Sequence, residues 1–485
     1  MLSKENQKDL QFYNTFTRSK KPFKSLEPGK VRMYVCGPTV YSDPHIGNFR
    51  TFTVGDIIRR WLEYRGYNVF HVMNITDIDD KTIRDSGEEG VSLEKFTERY
   101  TESFLRGLDL MNIKRAHVYP KATEYTPLMV DFVTELVKKR VAYVAKDGVY
   151  FDINKFPHYG KLSGINISEV EKTERMSVDE YGKENVNDFA LWKNSTPEEY
   201  ERGIYYDSPW GPGRPGWHIE CSVMSRSLCG DSIDIHAGGE DLVFPHHENE
   251  IAQSESLTGK EFVRNWIHAR FLMINGHKMS KSLGNYVSFD EVLSKYTVNA
   301  FRYFYLSVHY RRPLDYTEKA MEVAQNSVNR LENTLDLIED ALRKKDKDLS
   351  YGEREKGFLK AIETQRLSFE AAMDDDLDTH RAIDTIHALS GSINEYISGP
   401  TNKGILLKGE AVFKELLDAL GLFIKRGRGG DDLSEKLIGI ITEVREKLRA
   451  EKNYTMADVV RDLMDKAGVF LADTNEGTSW KIKRG

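Results

Sequence analysis

The chain has 485 residues, of which 30% are Asp, Glu, Lys or Arg and 40% are hydrophobic, and its formal net charge is −7. This length predicts about two to four domains with a substantial core. The negative charge excludes a generally basic nucleic-acid binder, so any RNA contact must use local basic patches and shape. No apolar run is long enough to cross a bilayer, the polar first ten residues are no signal peptide, and three cysteines make no disulfide framework. We therefore expect a cytoplasmic protein.

The first predicted elements are a strand, a loop, a helix and a second strand. Residues 31–35 are apolar in alternation, which indicates a strand, and residues 49–64 place apolar side chains on one helical face. Gly66 is a plausible helix stop, and an apolar strand follows over residues 69–75. This order predicts a parallel sheet with a right-handed crossover, and ligands then bind beyond the carboxyl ends of the strands.

Two short motifs are typical of a phosphate site. His45-Ile46-Gly47-Asn48 opens the first helix, where unpaired N–H groups and the helix dipole attract an anion. Lys278-Met279-Ser280-Lys281-Ser282 has glycines on both sides that allow the loop to move, and its two lysines can clamp a diphosphate. Alone, the first motif also fits an ordinary helix start and the second a solvated basic turn. Together they predict a site for nucleoside triphosphate phosphates.

Metal-ligand residues accompany these motifs. Cys36 follows the first strand, Cys221 lies far downstream, and His246 and Glu250 have the i, i+4 spacing of one helix face, on a helix that a proline opens. Thiolate, imidazole and carboxylate together suit Zn²⁺. The alternative is that the cysteines are small buried hydrophobes, as expected for Cys229, and that His-x-x-x-Glu is a helix-surface pair. The residues alone leave both interpretations open.

The combination of motifs resembles the class I aminoacyl-tRNA synthetases, and in detail the cysteinyl-tRNA synthetase family, over nearly the whole chain. The resemblance implies an ATP-dependent ligase. It would form cysteinyl-adenylate from L-cysteine and ATP with Mg²⁺, and pass the cysteinyl group to the 3′-terminal adenosine of tRNA(Cys). One departure is Asn48, where many class I members have a second histidine. Because Asn can still donate a hydrogen bond, we interpret it as a tolerated variant.

The resemblance also implies roles for individual residues. The catalytic residues would be His45, Asn48, Lys278 and Lys281, and the ATP contacts Pro38, Thr39, His45, Gly47, Asn48, Asp241, Lys278 and Lys281. Tyr41, Thr76, Trp217 and His218 would bind cysteine, and Cys36, Cys221, His246 and Glu250 would hold one Zn²⁺ per chain. The thiolate of cysteine forms a strong bond to zinc that a serine hydroxyl cannot replace. Selectivity for cysteine over serine of roughly 10⁴–10⁵-fold is therefore reachable without an editing site.

We expect an α/β fold in which a Rossmann-like parallel sheet carries an insertion and precedes an α-helical bundle and a small C-terminal domain. The predicted ranges are 1–120 and 216–290 for the two catalytic halves, 121–215 for the insertion, 291–319 for a stem-contact module, 320–424 for the bundle and 431–485 for the tail. The helices are predicted at 355–373, 379–397, 411–423 and 455–466, with a basic linker at 425–430. The resemblance implies that bundle and tail bind tRNA, the tail reading the anticodon, with Trp480 as a candidate stacking residue or a docking anchor.

Two alternatives remain open. A relative that joins cysteine to an amino sugar in mycothiol synthesis shares the motifs and the zinc but lacks the tRNA-reading end. A non-catalytic zinc- or RNA-binding relative is disfavoured by the intact Lys278–Ser282 string, since a lapsed site would be expected to lose its lysines. We expect a monomer whose partners are tRNA(Cys), L-cysteine and ATP, with no membrane partner.

Overall fold

The computed structural model describes residues 10–165, 188–278, 286–343, 351–422, 432–474 and 477–482. Its strands are β1 (Gln11–Asn14), β2 (Ser19–Pro22), β3 (Lys30–Val35), β4 (Asn68–Met73), β5 (Ala142–Val144), β6 (Gly148–Phe151), β7 (Phe189–Asn194), β8 (Gly213–Pro215), β9 (Ile233–Gly239), β10 (Val263–Ala269), β11 (Leu272–Ile274), β12 (His277–Lys278), β13 (Leu314–Tyr316), β14 (Val469–Thr474) and β15 (Gly477–Ile482).

Helices connect and cover these strands. They are α1 (Ile46–Tyr64), α2 (Asp80–Glu88), α3 (Leu93–Leu110), α4 (Thr126–Lys138), α5 (Pro197–Glu201), α6 (Trp217–Cys229), α7 (Glu248–Thr258), α8 (Phe289–Lys295), α9 (Val298–Leu306), α10 (Glu318–Arg343), α11 (Glu353–Asp374), α12 (Thr379–Ile397), α13 (Lys403–Ala419), α14 (Asp432–Ala450) and α15 (Tyr454–Lys466). None of these helices is both long and apolar enough to span a bilayer.

The central sheet is parallel and has the strand order β10-β9-β3-β4. The chain leaves β3 toward β4 on one side and later returns to β9 on the other side. This reversal of direction leaves a crevice at the carboxyl ends of β3 and β9, which is where open α/β sheets bind ligands. The sequence prediction of a parallel strand–helix–strand unit is confirmed.

Both faces of the sheet are covered, as its apolar strands require. Val31, Met33 and Val35 face a core shared with α1, α9 and the bundle helices. Tyr34 and Cys36 alternate to the opposite face, where a second core includes α4, α6 and the insertion. The metal-ligand candidate Cys36 therefore lies on the insertion side, at the end of its strand.

Two smaller sheets flank the central one. The insertion carries an antiparallel sheet of order β5-β6-β7-β8, and a three-stranded sheet of order β12-β11-β13 precedes the lysine motif. Asn275 and Gly276 join β11 to β12 with φ of 51° and 78°. Two successive positive φ values are typical of the tight hairpin turn that Asn-Gly sequences favour. This turn ends β12 at Lys278, the first lysine of the motif.

The C-terminal third is helical, as predicted. Helices α10 to α13 pack through the first core onto α1, with the Trp61 ring against Phe369 at a centroid distance of 5.9 Å. A separate small core of Ile438, Met464 and Val469 holds α14, α15 and the β14–β15 hairpin. Trp480 is partly buried against that core, which fits a docking anchor better than an exposed stacking platform.

The differences from the predicted helices are local. The helix predicted at 379–397 has these limits, whereas the one predicted at 411–423 begins at Lys403 and ends at Ala419. Asn402 caps that helix by accepting from the N–H of Ile405, a signal that the apolar spacing did not reveal. Helix α14 and the tail hairpin were not predicted, and the proposed linker at 425–430 lies outside the described residues.

Candidate active site and metal centre

The crevice is built where β3 and β4 end. The side chain of Asn74 accepts a hydrogen bond from the Gly37 N–H at 2.9 Å, and Val40 N–H donates to the Thr76 carbonyl at 3.1 Å. A Cβ atom at Gly37 would lie 1.7 Å from the Asn74 carbonyl oxygen, so only glycine permits this close approach. The loop that follows carries the chain from Cys36 to the start of α1.

The His45–Asn48 motif forms a capping box. His45 is the N-cap of α1, and its Nδ1 accepts from the Asn48 N–H at 3.3 Å, while Asn48 Oδ1 accepts from the His45 N–H at 3.1 Å. An acceptor at Nδ1 places the proton of the neutral ring on Nε2, which can then donate to a phosphoryl oxygen. His45, Gly47 and Asn48 are all partly exposed. The motif thus presents an imidazole donor and a helix N-terminus to the crevice.

Of the lysine motif, the structure describes only the first residue. The main chain of Lys278 lies in β12, whereas Lys281 falls outside the described residues. Beyond the motif, Ser288 forms an antiparallel bridge with His45, and the Tyr286 ring lies edge-on against the His45 ring. The chain that follows the lysine motif is therefore in direct contact with the first phosphate motif.

Cys36, Cys221, His246 and Glu250 come together as the sequence predicted. One ligand atom from each residue lies within 4.8 Å of the others, and all four residues are buried. The two sulfur atoms are 4.0 Å apart, and His246 Nε2 lies 3.1 Å from Glu250 Oε1. They lie at the end of β3, in helix α6, in the short helical segment Val243–His247 and in helix α7. The prediction that Pro245 opens the helix shared by His246 and Glu250 agrees with the structure, because Phe244 has extended backbone angles (φ −137°, ψ 133°) and the backbone is helical from Pro245 into α7.

The electrostatics of the cluster suit a cation. The hydrogen bond with Cys36 holds the pKa of the Cys221 thiol at about 6, although burial acts against it. Burial would raise the pKa of Glu250, but His236 and His246 lower it to about 2. Glu250 Oε1 is buried, and His246 Nε2 lies 3.1 Å from it without forming a well-oriented hydrogen bond. A buried carboxylate oxygen grouped with two thiols and an imidazole has the chemistry of a metal ligand.

A second set of donors overlaps the first, and sequence reasoning missed it. Cys36, His236, His247 and Glu250 also offer ligand atoms within 4.8 Å of one another. His236 Nε2 contacts Glu250 Oε2 at 2.9 Å, and His247 Nε2 contacts Cys36 Sγ at 3.4 Å. Burial lowers the pKa of His247 well below its ordinary value, so this imidazole is neutral. The only sequence signal was the adjacency of His247 to His246, since His236 is hidden in an apolar strand.

Two of the expected cysteine-binding residues, Trp217 and His218, contact His246 of the cluster. The Trp217 ring lies 4.3 Å from the His246 ring, centroid to centroid, and is 39% exposed, so it forms an open wall. His218 Nδ1 is 3.1 Å from His246 Nδ1. Thr76 donates to the buried Glu220 carboxylate at 2.9 Å. Glu220 was not singled out by the sequence, and burial raises its pKa well above the ordinary value.

The remaining predicted contacts lie on the same edge of the sheet. Pro38, Thr39 and Tyr41 belong to the loop after β3, and Lys81 lies 4.9 Å above the Tyr41 ring. Asp241 is exposed in the turn Glu240–Leu242, directly after β9. Pro38, Thr39, Tyr41 and Asp241 thus lie in the segments that directly follow β3 and β9, whereas Lys278 lies in β12 of the three-stranded sheet.

Comparison with known proteins identifies the family. Residues 22–326 match the catalytic domain of the class I (C) tRNA synthetases, and residues 368–424 match the DALR domain. The chain is 46% identical to the cysteine–tRNA ligase of Thermococcus onnurineus over 97% of its own length and 99% of that protein. It is 48% identical to the cysteine–tRNA ligase of Methanosarcina acetivorans, with coverage of 97% and 99%.

This chain belongs to the cysteine–tRNA ligase family. It is an enzyme of the class I aminoacyl-tRNA synthetases, which are ATP-dependent ligases. Solved structures agree on the fold. The Mycobacterium tuberculosis methionyl-tRNA synthetase in complex with methionyl-adenylate superposes with a TM-score of 0.59 at 16% identity, covering 81% of this chain and 90% of that one. A putative arginyl-tRNA synthetase from Campylobacter jejuni gives 0.54 at 14% identity, covering 83% and 95%.

Proposed function

We propose that this member of the cysteine–tRNA ligase family activates L-cysteine with ATP and Mg²⁺ and transfers the cysteinyl group to the 3′-terminal adenosine of tRNA(Cys). The observation that carries the proposal is the juxtaposition of a buried Cys₂HisGlu cluster with the capping-box motif at one sheet edge. The first fits a thiol substrate and the second a triphosphate. Because its RNA substrate is cytoplasmic, we place the enzyme in the cytoplasm, acting as a monomer.

Activation begins with the ATP phosphates at the start of α1. The helix N-terminus and the His45 imidazole stabilise the negative charge that grows on the α-phosphoryl group as the cysteine carboxylate attacks it. Lys278 and Lys281 neutralise the departing pyrophosphate. The position of the Lys278 main chain in β12 and the contact of Tyr286, which follows the motif, with His45 support this role. Pro38, Thr39, Gly47, Asn48 and Asp241 complete the ATP contacts.

The Cys36, Cys221, His246 and Glu250 side chains hold Zn²⁺ in this proposal. Zn²⁺ held by these residues would form a bond to the thiolate of the substrate cysteine, and a serine hydroxyl cannot form a bond of equal strength. This donor set is preferred to the overlapping one because it uses both thiols, and because His236 then has a separate task. Its Nε2 hydrogen bond to Glu250 Oε2 orients the carboxylate, as partners of metal ligands commonly do.

The pocket residues orient the amino acid around that thiolate. Trp217 covers one side of the cluster and His218 lies behind His246, while Tyr41 and Thr76 approach from the loops after β3 and β4. Thr76 is fixed by its hydrogen bond to Glu220 and by the amide of Asn74 at 3.2 Å. These residues come from helix α6 and from the loops after β3 and β4, so the pocket depends on several segments at the sheet edge.

The transfer step needs the C-terminal third of the chain. The DALR match over residues 368–424 and the separate tail fold support tRNA binding by bundle and tail, and favour the tRNA ligase over an amino-sugar ligase. We propose the domain limits 1–120, 121–215, 216–290, 291–319, 320–424 and 431–485 for the six units. The tail is the proposed anticodon reader.

One assay with two readouts tests the function. The full chain is incubated with cysteine, ATP and Mg²⁺, and pyrophosphate exchange is followed first, then charging of a tRNA(Cys) transcript. Cysteine-dependent exchange together with charging is the expected result. Pyrophosphate exchange without tRNA charging would favour the amino-sugar ligase. Formation of a cysteine–amino-sugar product after the amino sugar is added would then identify that activity. Absence of both, in folded protein, would contradict the proposed activity.

A further inference from the structure

We propose that Asp376, in the turn between α11 and α12, is a positioning residue that fixes the loop of residues 309–312 and, through it, the two phosphate motifs relative to each other. The proposal rests on the proposed function, because the reaction it supports is adenylate formation. Asp376 belongs to the helical bundle, yet each of its side-chain partners precedes the bundle in the chain.

The Asp376 carboxylate is completely buried and receives several donors. Its Oδ1 accepts from the Tyr13 N–H at 2.7 Å and from the Tyr310 hydroxyl at 2.6 Å. Its Oδ2 accepts from Arg311 Nε at 2.7 Å and lies 3.6 Å from His309 Nε2. Hydrogen bonds to an ionised carboxylate are stronger than those between neutral groups, and here both carboxylate oxygens accept them. The side chain therefore clamps three consecutive residues of one loop.

The backbone at this turn is held in an unfavourable conformation. Asp376 has φ of 65° and Leu377 has φ of 56°. Positive φ is uncommon for Asp and a genuine outlier for a residue as bulky as Leu. Such conformations persist only where the surroundings fix them, and they cluster at functional sites. Here the buried Leu377 side chain and the hydrogen bond from Asp376 N–H to the Gln11 carbonyl fix the turn.

The clamped loop in turn contacts the helix that carries the first motif. The buried Arg50 guanidinium, on the first turns of α1, donates to the Arg312 carbonyl and, at 3.1 Å, to the Phe271 carbonyl. A neighbouring contact, from the Tyr305 hydroxyl to the Ile46 carbonyl, holds the first residue of the same helix. A shift of the loop would therefore displace the N-terminus of α1 and its cap His45.

The same loop also fixes the sheet that leads to the lysine motif. Arg270 N–H donates to the Tyr310 carbonyl at 2.9 Å, just before β11. The loop continues into β13, which pairs with β11, and β11 pairs with β12, which ends at Lys278. The loop is thus the point where the bundle, the α1 motif and the lysine sheet meet. Since transition-state stabilisation depends on the alignment of donors around the reacting phosphate, loosening this point should slow the chemical step.

The decisive variant is Asp376→Asn in the full chain. Asn has the same shape as Asp, and its side-chain oxygen can still accept a hydrogen bond. Its NH₂ group, however, would face the Arg311 Nε–H, and two donors cannot form a hydrogen bond with each other. We expect kcat for cysteine-dependent ATP–pyrophosphate exchange to fall by roughly tenfold to a hundredfold. The KM for cysteine should change by less than about twofold, because the Asp376 carboxylate positions the phosphate motifs, whereas the proposed cysteine pocket lies at the metal cluster on the insertion side of the sheet.

Asp375→Asn is the matched control, since Asp375 is the adjacent carboxylate and pairs with Lys20 on the exposed surface. Rates are measured per folded molecule, well below the melting temperature of each variant. If Asp376→Asn does not fold, Arg311→Met removes the other half of the same pair and should lower kcat in the same way. Equal kcat for the Asp376 and Asp375 variants would overturn the inference. Absence of exchange in the wild-type chain would instead overturn the proposed function.

Discussion

Tyr286 lies edge-on against His45, with ring centroids 5.8 Å apart and planes at 89°. An antiparallel bridge between Ser288 and His45 holds the two segments side by side. Tyr286 follows the lysine motif, and His45 opens the helix that we propose to receive the phosphates. The position of Tyr286 and the orientation of the His45 imidazole are therefore physically connected through one aromatic contact.

Removal of that contact should slow adenylate formation. For Tyr286→Ala we expect kcat of ATP–pyrophosphate exchange to fall by roughly two- to tenfold, the range of an edge-to-face aromatic pair. Tyr286→Phe keeps the ring and should retain most of the activity. The two variants are compared by steady-state exchange kinetics. Equal losses in both would show that the hydroxyl, and not the ring packing, is what matters.

The second prediction concerns the lysine motif. Lys281→Ala should lower the rate of adenylate formation by about 10²–10³-fold, since it removes a charge that meets the leaving pyrophosphate. Cysteine binding should change far less, because the lysine acts mainly in the transition state. Lys295→Ala is the control, as Lys295 lies on α8 and pairs with the exposed Glu318. Exchange near the wild-type rate in the Lys281 variant would reduce the motif to a basic turn.

The third prediction concerns the metal. The purified protein should contain one Zn²⁺ per chain, and Cys221→Ala should contain much less because two thiolates suit zinc better than one. Cys229→Ala is matched in chemistry and burial but lies outside both donor sets, so its zinc content should stay at the wild-type level. Elemental analysis of the three proteins decides the question. Zinc retained in the Cys221 variant would favour the set with His236 and His247.

The fourth prediction separates chemistry from RNA binding. A chain ending at Gly427 keeps His45, Lys281 and the four proposed ligands, so it should still catalyse cysteine-dependent exchange. It should charge tRNA(Cys) poorly, because the tail of α14, α15 and the β14–β15 hairpin is gone. The small separate core of the tail makes this cut compatible with folding of the rest, which circular dichroism and thermal melting will check. Undiminished charging by the folded fragment would show that the tail is not the anticodon reader.

Much of the fold was predictable from local patterns. Alternation at residues 31–35 and helical spacing after His45 gave β3, α1 and the parallel crossover, because those elements bury one face each. The limits of α13 were not predictable from apolar spacing, since the Asn402 cap sets its start. Helix α14 was missed because only part of one of its faces packs against the rest of the tail, so that apolar side chains such as Leu437 and Ile440 are exposed.

The candidate site was predictable where residues belong to a motif and not where the fold alone assembles it. The Cys36, Cys221, His246 and Glu250 quartet was expected and does come together. His236 and Glu220 could not be found, because each sits among apolar residues in its own element and gains its partners only through long-range packing. The Asp376 clamp was hidden for the same reason, since its partners are more than sixty positions away in sequence.

The central claim is that the substrate thiol binds a zinc ion held by Cys36, Cys221, His246 and Glu250. Zinc K-edge X-ray absorption of the full-length protein tests it directly, because Zn–S bonds near ~2.3 Å are distinguished from Zn–N and Zn–O bonds near ~2.0–2.2 Å. We expect two sulfur ligands in the protein alone or with serine, and three after cysteine is added. A sulfur count that cysteine leaves unchanged would contradict it.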